Sequence, residues 1–338
     1  MKVKSKVAVI GAGSWGTALA ILLSQKGREV FLWGKEVDQI QQMNSTRQNV
    51  QYLPGRHFPP TLYAFSEMEK CIEESGVVVM AVPSHAYREV YRQVYPLLAE
   101  KTVIVSVVKG IETTTLKTMT QVMVEESQGK ELYFSVLSGP SFAEEVAAGQ
   151  PTAVTVASKE SVVAKEIQHL FSSQFFRVYT SSDTLGLEIC GAMKNVIAIA
   201  SGICDGLGYG LNTRAALITR GLAEMTRLGL TMDAEPATFA GLGGLGDLVL
   251  TCTGNLSRNR SVGLKLGSGQ TLHDILAEMI MVAEGVNTTL SCFLLAQKKK
   301  VEMPILEQMY AVLYQNKRCE DAVRTLFQRD LKAENTFS

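Results

Sequence analysis

The strongest chemical signal in the sequence is one lysine, Lys194, in a long apolar stretch. It is the only charged residue in residues 189–202. On a predicted helix it lies one turn after Cys190, among small and apolar residues that would leave its ammonium poorly solvated. Desolvation lowers the pKa of a lysine toward neutrality, so Lys194 could donate and accept a proton. The alternative is a lysine whose stem packs while its ammonium reaches water.

Two further charged residues follow turns that are typical of a reactive site. Lys109 comes after a predicted buried strand and precedes Gly110, which would let a ligand approach closely. Asp247 ends the glycine-rich residues 241–246, and glycines this dense are seldom needed for core packing alone. We expect Lys109 and Asp247 to orient the ammonium of Lys194.

Ser257, Arg258 and Asn259 resemble the start of an anion-binding helix. Ser257 is suited to cap the helix, and first-turn backbone amides together with a guanidinium would bind a phosphate monoester. Arginine is unfavourable at a helix N-terminus because of the helix dipole, which also favours a bound anion. The alternative is a capped helix with an exposed basic first turn.

A second polar loop follows the predicted strand at residues 132–137. Backbone N–H groups near Gly139 and Ser141 could hold a small polar substrate, just before a helix predicted at residues 143–148. His85, which follows an earlier strand, is more typical of a surface or packing histidine than of an acid catalyst.

The glycines Gly11, Gly13 and Gly16 form a G-x-G-x-x-G motif between a predicted strand at residues 7–10 and a predicted helix at residues 17–25. Such glycines permit a tight turn, close approach of the backbone to a pyrophosphate and close packing of helix on strand. The free N–H groups of the helix N-terminus face the phosphate charge. The motif in this setting predicts a nicotinamide dinucleotide cofactor.

The tip of the second predicted strand favours NADP over NAD. An acidic residue at this position normally binds the ribose 2′-hydroxyl, but here Lys35 follows the strand. A lysine can pair with a 2′-phosphate, which a carboxylate would repel. Glu36 comes directly afterwards, so Lys35 could also be an ordinary solvated charge.

The elements that must position these residues fall into two groups. Short β-branched runs alternate with amphipathic segments to about residue 183, which predicts strands and crossover helices of a parallel sheet. The predicted strands are residues 7–10, 30–33, 77–82, 103–107, 132–137, 153–157 and 177–180. They lack polar alternation, as strands buried on both faces should. Helical spacing then takes over at residues 185–203, 213–228, 272–279, 288–297 and 305–314.

We therefore predict an α/β protein with a doubly wound Rossmann-type domain over residues 1–185 and an all-helical domain over residues 186–338. The length of 338 residues also favours two domains over one. Ligands commonly bind at domain interfaces, so we expect the active site in the cleft between the domains.

Composition excludes several classes of protein. The chain has 33 lysine and arginine residues and 33 aspartate and glutamate residues, so its formal net charge is zero. It therefore has no excess of positive charge that would favour binding to nucleic acid or to an anionic membrane. The six cysteines include no CxxC pair and there are only four histidines, so we expect reduced thiols and no metal site. Neither a signal-peptide core nor an apolar stretch long enough to span a bilayer is recognised. These features predict a soluble cytoplasmic protein.

Several segments in this order resemble the bacterial-type glycerol-3-phosphate dehydrogenases that use NAD(P). The resemblance covers nearly the whole chain. It rests on GAGSWGTALA, KGIE at Lys109, SGPSFAEEVA, CGAMKNVIAIASGICDGL, AALITRGLAEM, GLGGLGDLVLTCT with NLSRNR, and AEGVNT at Ala283. Gly243 and Ala283 depart from the family's usual alanine and valine, and neither change touches a polar group.

The resemblance implies reversible hydride transfer between NAD(P)H and dihydroxyacetone phosphate, giving sn-glycerol 3-phosphate, the starting backbone of glycerophospholipids. It implies that Lys194 is the proton donor and acceptor, and NADP is expected to be preferred, with NAD possible. The residues implied in cofactor binding beyond the glycines are Ser14, Trp15, Lys35, Lys109, Ala143, Arg258, Val282 and Glu284. Those implied in substrate binding are Lys109, Gly139, Ser141, Lys194, Asp247, Ser257, Arg258 and Asn259. We also expect a homodimer.

Two other functions compete with this one. A two-domain dehydrogenase of the hydroxyacid type would act on a carboxylate, which Arg258 serves nearly as well as a phosphate. A non-catalytic NADP-binding regulator would keep the dinucleotide loop, but Lys109, Lys194 and Asp247 would then have no reason to converge.

Overall fold

The computed structural model describes residues 6–279, 283–331 and 333–334. The chain forms two compact units. The first contains residues up to 108 together with residues 117–187, and the second contains residues 109–116 together with the chain from residue 188 onward. The predicted division at residue 185 assigned residues 109–116 to the sheet domain. They group instead with the helical unit, where Lys109 hydrogen-bonds Asp247.

The first unit contains an eight-stranded sheet. Its strands are β1 (Lys6–Ile10), β2 (Glu29–Trp33), β3 (Leu62–Phe65), β4 (Val77–Met80), β5 (Val103–Ser106), β6 (Tyr133–Ser138), β7 (Thr152–Ala157) and β8 (Phe176–Ser181). Its helices are α1 (Ser14–Gln25), α2 (Val37–Thr46), α3 (Met68–Ile72), α4 (Tyr87–Val94), α5 (Met119–Glu126), α6 (Ala143–Ala147) and α7 (Ser161–Phe171), with 3₁₀ turns at Ser84–Ala86 and Tyr95–Leu97. The strand order is β3-β2-β1-β4-β5-β6-β7-β8, whose first six positions are the doubly wound dinucleotide-binding order.

The central strands of this sheet are buried on both faces. Val7 and Val9 of β1 belong to one apolar cluster, whereas Ala8 and Ile10 belong to another. Because successive side chains of a strand point to opposite faces, β1 supplies two cores at once. This arrangement explains why the central strands lack polar alternation, as predicted. The prediction is wrong for the edge strand β8, where buried Phe176 and Val178 alternate with exposed Arg177 and Tyr179.

Two further features of the sheet differ from the prediction. β3 was missed because it has no β-branched residue and alternates between buried and exposed positions, as at the exposed Tyr63. The strands were predicted to be parallel, but β7 pairs antiparallel with β6. The link between them is residues 139–151 and contains the five-residue α6, so its length would permit either strand direction.

Among the described residues of the second unit, the regular elements are helices, while residues 109–116 form an irregular segment. Its helices are α8 (Thr184–Gly206), which begins within the first unit, α9 (Leu211–Leu230), α10 (Pro236–Ala240), α11 (Asp247–Thr253), α12 (Arg258–Gly267), α13 (Leu272–Ala277), α14 (Glu284–Lys299), α15 (Pro304–Tyr314) and α16 (Cys319–Phe327). By length and composition α8 could cross a membrane, but its apolar window is entirely buried in protein, which is typical of a core helix. The fold class predicted from the sequence is confirmed.

Candidate active site

Three of the predicted residues meet at one buried carboxylate in the second unit. Lys194 Nζ lies 2.6 Å from Asp247 Oδ1, and Lys109 Nζ lies 2.7 Å from Asp247 Oδ2. Lys194 also donates to Thr251 Oγ1 at 2.8 Å. Lys194 is 6% exposed and Asp247 is 1% exposed, so the ion pairs are nearly closed to water. Each carboxylate oxygen thus has its own ammonium donor, which fixes the spacing of the two lysines.

The chain brings Asp247 to this place through a π-helical turn at Leu242–Gly246, closed by a hydrogen bond of 3.1 Å from Gly246 N to Gly241 O. A Cβ at Gly244 would lie 2.1 Å from the carbonyl oxygen of Phe239. This glycine therefore serves close backbone packing, which the sequence analysis had discounted for the segment. The turn makes Asp247 the first residue of α11.

Burial and charge shift the pKa of both partners. Removal from water lowers the pKa of Lys194 to about 7, because desolvation and repulsion from Lys109 outweigh the attraction of Asp247. Burial alone would raise the pKa of Asp247, but the ammonium groups of Lys109 and Lys194 more than offset this and lower it. Asp247 is therefore anionic at neutral pH, and Lys194 is poised to change its protonation state there.

Thr251 is a site residue that the sequence analysis missed. It lies one turn after Asp247 on α11, and its hydroxyl accepts from Lys194 while donating to the Asp247 carbonyl at 2.6 Å. The i, i+4 spacing from Asp247 was the available signal, because residues so spaced share a helix face.

Asn195 was also missed, and it links Lys109 to Asn259. Asn195 Nδ2 is 3.4 Å from the Lys109 carbonyl oxygen, and Asn195 Oδ1 accepts from Asn259 Nδ2 at 2.9 Å. Asn259 Oδ1 in turn accepts from the Gly285 backbone N–H at 2.9 Å. A buried chain of amides therefore connects α8, α12 and α14 beside the lysines.

The predicted anion-binding turn opens α12. Ser257 is the N-cap, as predicted, and its hydroxyl accepts from the backbone N–H of Arg260 at 3.2 Å. Arg258 is exposed at the first helical position. Glu284, at the start of α14, interacts electrostatically with the Arg258 guanidinium. The turn thus presents a guanidinium and backbone N–H groups at one helix end.

The glycine motif forms the expected loop between β1 and α1 in the first unit. Gly11 has φ +121°, and a Cβ there would lie 2.6 Å from the Ala81 carbonyl oxygen. A Cβ at Gly16 would lie 2.0 Å from the Gly11 carbonyl oxygen, whereas one at Gly13 would meet nothing within 4 Å. Two glycines are therefore required for packing, and the third leaves open space where a ligand could contact the backbone.

Side chains around this loop fit a dinucleotide. The buried indole N–H of Trp15 has no hydrogen-bond partner among the described residues, and Trp15 packs on the same core as Ala143. Ser14 Oγ donates to the Tyr52 carbonyl at 2.7 Å. Lys35 is exposed just after β2, whose Trp33 carbonyl accepts from the Gly11 N–H at 2.9 Å. Lys35 thus lies at the strand end that adjoins the glycine loop.

Two further predicted residues, Gly139 and Ser141, lie in the loop between β6 and α6. Gly139 has φ +149°, and a Cβ there would lie 2.8 Å from the Val154 Cα. Ser141 Oγ donates to the Gly139 carbonyl at 2.9 Å. Ala143 is the first residue of α6. Val282, predicted to contact the cofactor, lies outside the described residues.

Comparison with known proteins gives a consistent result. Residues 6–164 match the family model for the NAD-dependent glycerol-3-phosphate dehydrogenase N-terminus, and residues 183–324 match the model for its C-terminus. A protein of Desulfotalea psychrophila named glycerol-3-phosphate dehydrogenase [NAD(P)+] is 55% identical over 97% of this chain and 98% of its own. A protein of the same name from Citrifermentans bemidjiense is 54% identical over the same shares.

Among solved structures, a glycerol-3-phosphate dehydrogenase from Coxiella burnetii is 42% identical, with a TM-score of 0.93 over 97% of this chain and 99% of its own. A ketopantoate reductase from Ralstonia eutropha shares the fold at a TM-score of 0.62 and 14% identity. Likeness of fold alone therefore extends to enzymes with other substrates.

Proposed function

Because this chain belongs to the NAD-dependent glycerol-3-phosphate dehydrogenase family, we propose that it catalyses reversible hydride transfer between NAD(P)H and dihydroxyacetone phosphate, giving sn-glycerol 3-phosphate. The resemblance noted in the sequence is confirmed at the level of family. The single observation that carries the catalytic assignment is the Asp247 carboxylate between Lys109 and Lys194. In the cell this product would supply glycerophospholipid synthesis.

Lys194 is the proton donor and acceptor in this proposal. When bound, the nicotinamide supplies the hydride that reduces the ketone carbon C2. Negative charge develops on the C2 oxygen in that step, so a cation with a transferable proton stabilises the transition state. The lowered pKa of Lys194 lets its ammonium give up this proton at neutral pH, and lets the neutral amine take it back in the reverse direction.

Asp247 and Lys109 hold that proton donor in place. Asp247 fixes the Lys194 ammonium through a hydrogen bond of 2.6 Å and keeps it charged against desolvation. Lys109, on the other carboxylate oxygen, adds a second positive charge for an anionic substrate. A fixed donor costs no reorganisation when the charge develops, which is the advantage of a preorganised site.

The turn of Ser257, Arg258 and Asn259 binds the substrate phosphate in this proposal. The supporting features are the capped helix start and the exposed Arg258 guanidinium. The Asn259 side chain is engaged with Asn195 and Gly285, so we assign it to holding the turn and offer only its backbone N–H to the phosphate. Gly139 and Ser141 remain predicted substrate contacts.

The glycine loop of the first unit would hold the cofactor pyrophosphate over Gly13, with Ser14 and Trp15 beside the pyrophosphate and Lys35 at the ribose 2′-phosphate. The open space at Gly13 and the unpartnered indole N–H of Trp15 support this assignment. The relatives are named for NAD(P)+, which agrees with use of both cofactors. Preference for NADP, a homodimeric assembly and a cytoplasmic location are further parts of the proposal.

Lys35→Glu should reduce kcat/KM for NADPH by about 10- to 100-fold, because a charge-assisted contact with the 2′-phosphate of about 1.5 to 3 kcal/mol is lost and repulsion is added. The efficiency with NADH should change much less, since NADH lacks that phosphate. Initial rates with each cofactor measure the ratio, and Glu36→Gln serves as the neighbouring control. Equal losses with both cofactors would show that Lys35 does not recognise the 2′-phosphate.

The pH profile of the enzyme should reflect the pKa of Lys194, which is about 7. Reduction requires the ammonium form, so kcat/KM for dihydroxyacetone phosphate should fall as the pH rises through this value. Oxidation of sn-glycerol 3-phosphate requires the neutral amine, so its kcat/KM should rise over the same interval. Asp247→Asn removes the attraction that raises the pKa of Lys194, so the pH profiles of both the reduction and the oxidation should shift to lower pH. Profiles that are flat from about pH 6 to pH 8 in both directions would contradict this role of Lys194.

A further inference from the structure

Asp205, near the end of α8, joins three helices of the second unit through one carboxylate whose side chain is only 8% exposed. On α12, Arg260 Nε donates to Asp205 Oδ2 at 2.9 Å, and Arg260 Nη2 lies 2.7 Å from the same oxygen. On α9, Arg214 Nε donates to the other oxygen at 3.1 Å, and Arg214 Nη2 also pairs with it. Each arginine directs two guanidinium nitrogens at one oxygen, so Asp205 binds a separate guanidinium on each of its carboxylate oxygens.

Arg260 in turn holds the turn that opens α12. Its backbone N–H donates to the capping Ser257 hydroxyl at 3.2 Å, and its Nη1 donates to Asn255 Oδ1 at 3.1 Å. Arg258 lies between Ser257 and Arg260 in this segment. The carboxylate of Asp205 therefore acts on both ends of the segment that carries Arg258, without being next to it in sequence.

The backbones of α8 and α12 are also in close contact. A Cβ at Gly202 would lie 2.0 Å from the Arg260 carbonyl oxygen, and a Cβ at Gly263 would lie 2.0 Å from the Ile199 carbonyl oxygen. The first turn of α12 thus rests directly on the helix that carries Lys194. Asp205 lies about three turns beyond Lys194 on that helix.

We propose that Asp205 is a positioning residue for substrate specificity, which binds Arg260 and thereby holds Arg258 at the distance from Lys194 that a phosphorylated three-carbon substrate requires. The inference rests on the proposed function, because it assumes that Arg258 binds the phosphate. Of the two arginines in the RNR segment, Arg260 serves the fold and Arg258 serves the substrate. A displacement of about 1 Å in such a site can cost about 10²-fold in rate.

Asp205→Asn keeps the shape of the side chain and removes its charge. We expect kcat/KM for dihydroxyacetone phosphate to fall by about 10- to 100-fold, mostly through kcat. The efficiency with unphosphorylated dihydroxyacetone should change less than a few-fold, since that substrate makes no use of the turn. Asp233→Asn is the matched control: Asp233 is exposed in the same unit, and its positive φ of 66° suits asparagine equally well. Arg260→Lys, which keeps the charge but loses the paired geometry, should reproduce the selective loss if Asp205→Asn does not fold.

A double-mutant cycle with Arg258→Ala separates this role from a merely structural one. If Asp205 acts through Arg258, Asp205→Asn should have little further effect on either substrate in the Arg258→Ala background. The inference would be overturned if Asp205→Asn lowered kcat/KM just as much in the Arg258→Ala background as in the parent. It would also be overturned if Asp205→Asn alone lowered kcat/KM equally for both substrates. Neither result would contradict the proposed phosphate site. If Arg258→Ala alone lowers kcat/KM equally for both substrates, the proposed phosphate site is wrong, and the proposed role of Asp205 is wrong with it.

Discussion

Replacing Lys194 with methionine should lower kcat for dihydroxyacetone phosphate reduction by about 10²- to 10⁴-fold, the usual contribution of a general acid. Methionine fits the buried, apolar surroundings of Lys194 but has no proton to give to the C2 oxygen. Lys109 remains on Asp247, so the carboxylate keeps one of its two ammonium partners. NADPH affinity should be largely retained, because the glycine loop of the first unit is untouched.

The measurement is single-turnover and steady-state oxidation of NADPH, with NADPH affinity followed by fluorescence titration. Lys298→Met is a suitable control, because Lys298 is exposed on α14 in the same unit. A melting temperature close to that of the parent would show that the variant is folded. Activity within a few-fold of the parent would mean that the proton comes from another group.

Arg258→Ala should remove most of the advantage of dihydroxyacetone phosphate over dihydroxyacetone. The chemistry at C2 is the same for both substrates, so only binding at the phosphate distinguishes them. A charge-assisted hydrogen bond contributes about 1.5 to 3 kcal/mol, or roughly 10- to 150-fold. Because remote binding energy also holds the ketone in line for reaction, kcat should fall as well as affinity.

The test compares kcat/KM on the two substrates before and after the substitution. Arg318→Ala is the control, since Arg318 is highly exposed and pairs only loosely with Glu320 at 3.5 Å. We expect low activity on dihydroxyacetone in the parent, and this activity should barely change in Arg258→Ala. Equal losses on both substrates would show that Arg258 supports the fold or the cofactor, and that the phosphate binds elsewhere.

Much of the chemistry could be predicted from the sequence because the residues that carry it differ in type from their immediate neighbours in the chain. Lys194 is a lone charge in an apolar stretch, and the structure finds it buried with a lowered pKa. Gly11, Gly13 and Gly16 span the turn from β1 into α1, and each shows the close backbone contact or the open space that the motif predicts. Ser257 caps a helix because its residue type and position suit it to that role.

The missed features depend on contacts between residues far apart in the chain. Thr251 and Asn195 are ordinary polar residues, and only the folded arrangement shows Thr251 on the Lys194 ammonium and Asn195 between Lys109 and Asn259. The grouping of residues 109–116 with the helical unit likewise follows from a contact 138 residues distant, Lys109 with Asp247. Sequence periodicity carries no information on such pairs.

The strand errors have a similar cause. The β-branched composition that identified β7 is the same for a parallel and an antiparallel strand, so it could not show that β7 runs antiparallel to β6. β3 pairs only with β2 at the edge of the sheet, so its outward residues could remain polar or aromatic. The pattern used to find buried central strands could not detect it.

The most direct test of the account is the consumption of NADPH by the purified protein in the presence of dihydroxyacetone phosphate, with the product identified chemically. The account predicts that one sn-glycerol 3-phosphate forms for each NADPH oxidised, and that small keto acids of similar size react far more slowly. Tight NADPH binding without oxidation on addition of dihydroxyacetone phosphate would contradict it, as would faster turnover of a keto acid.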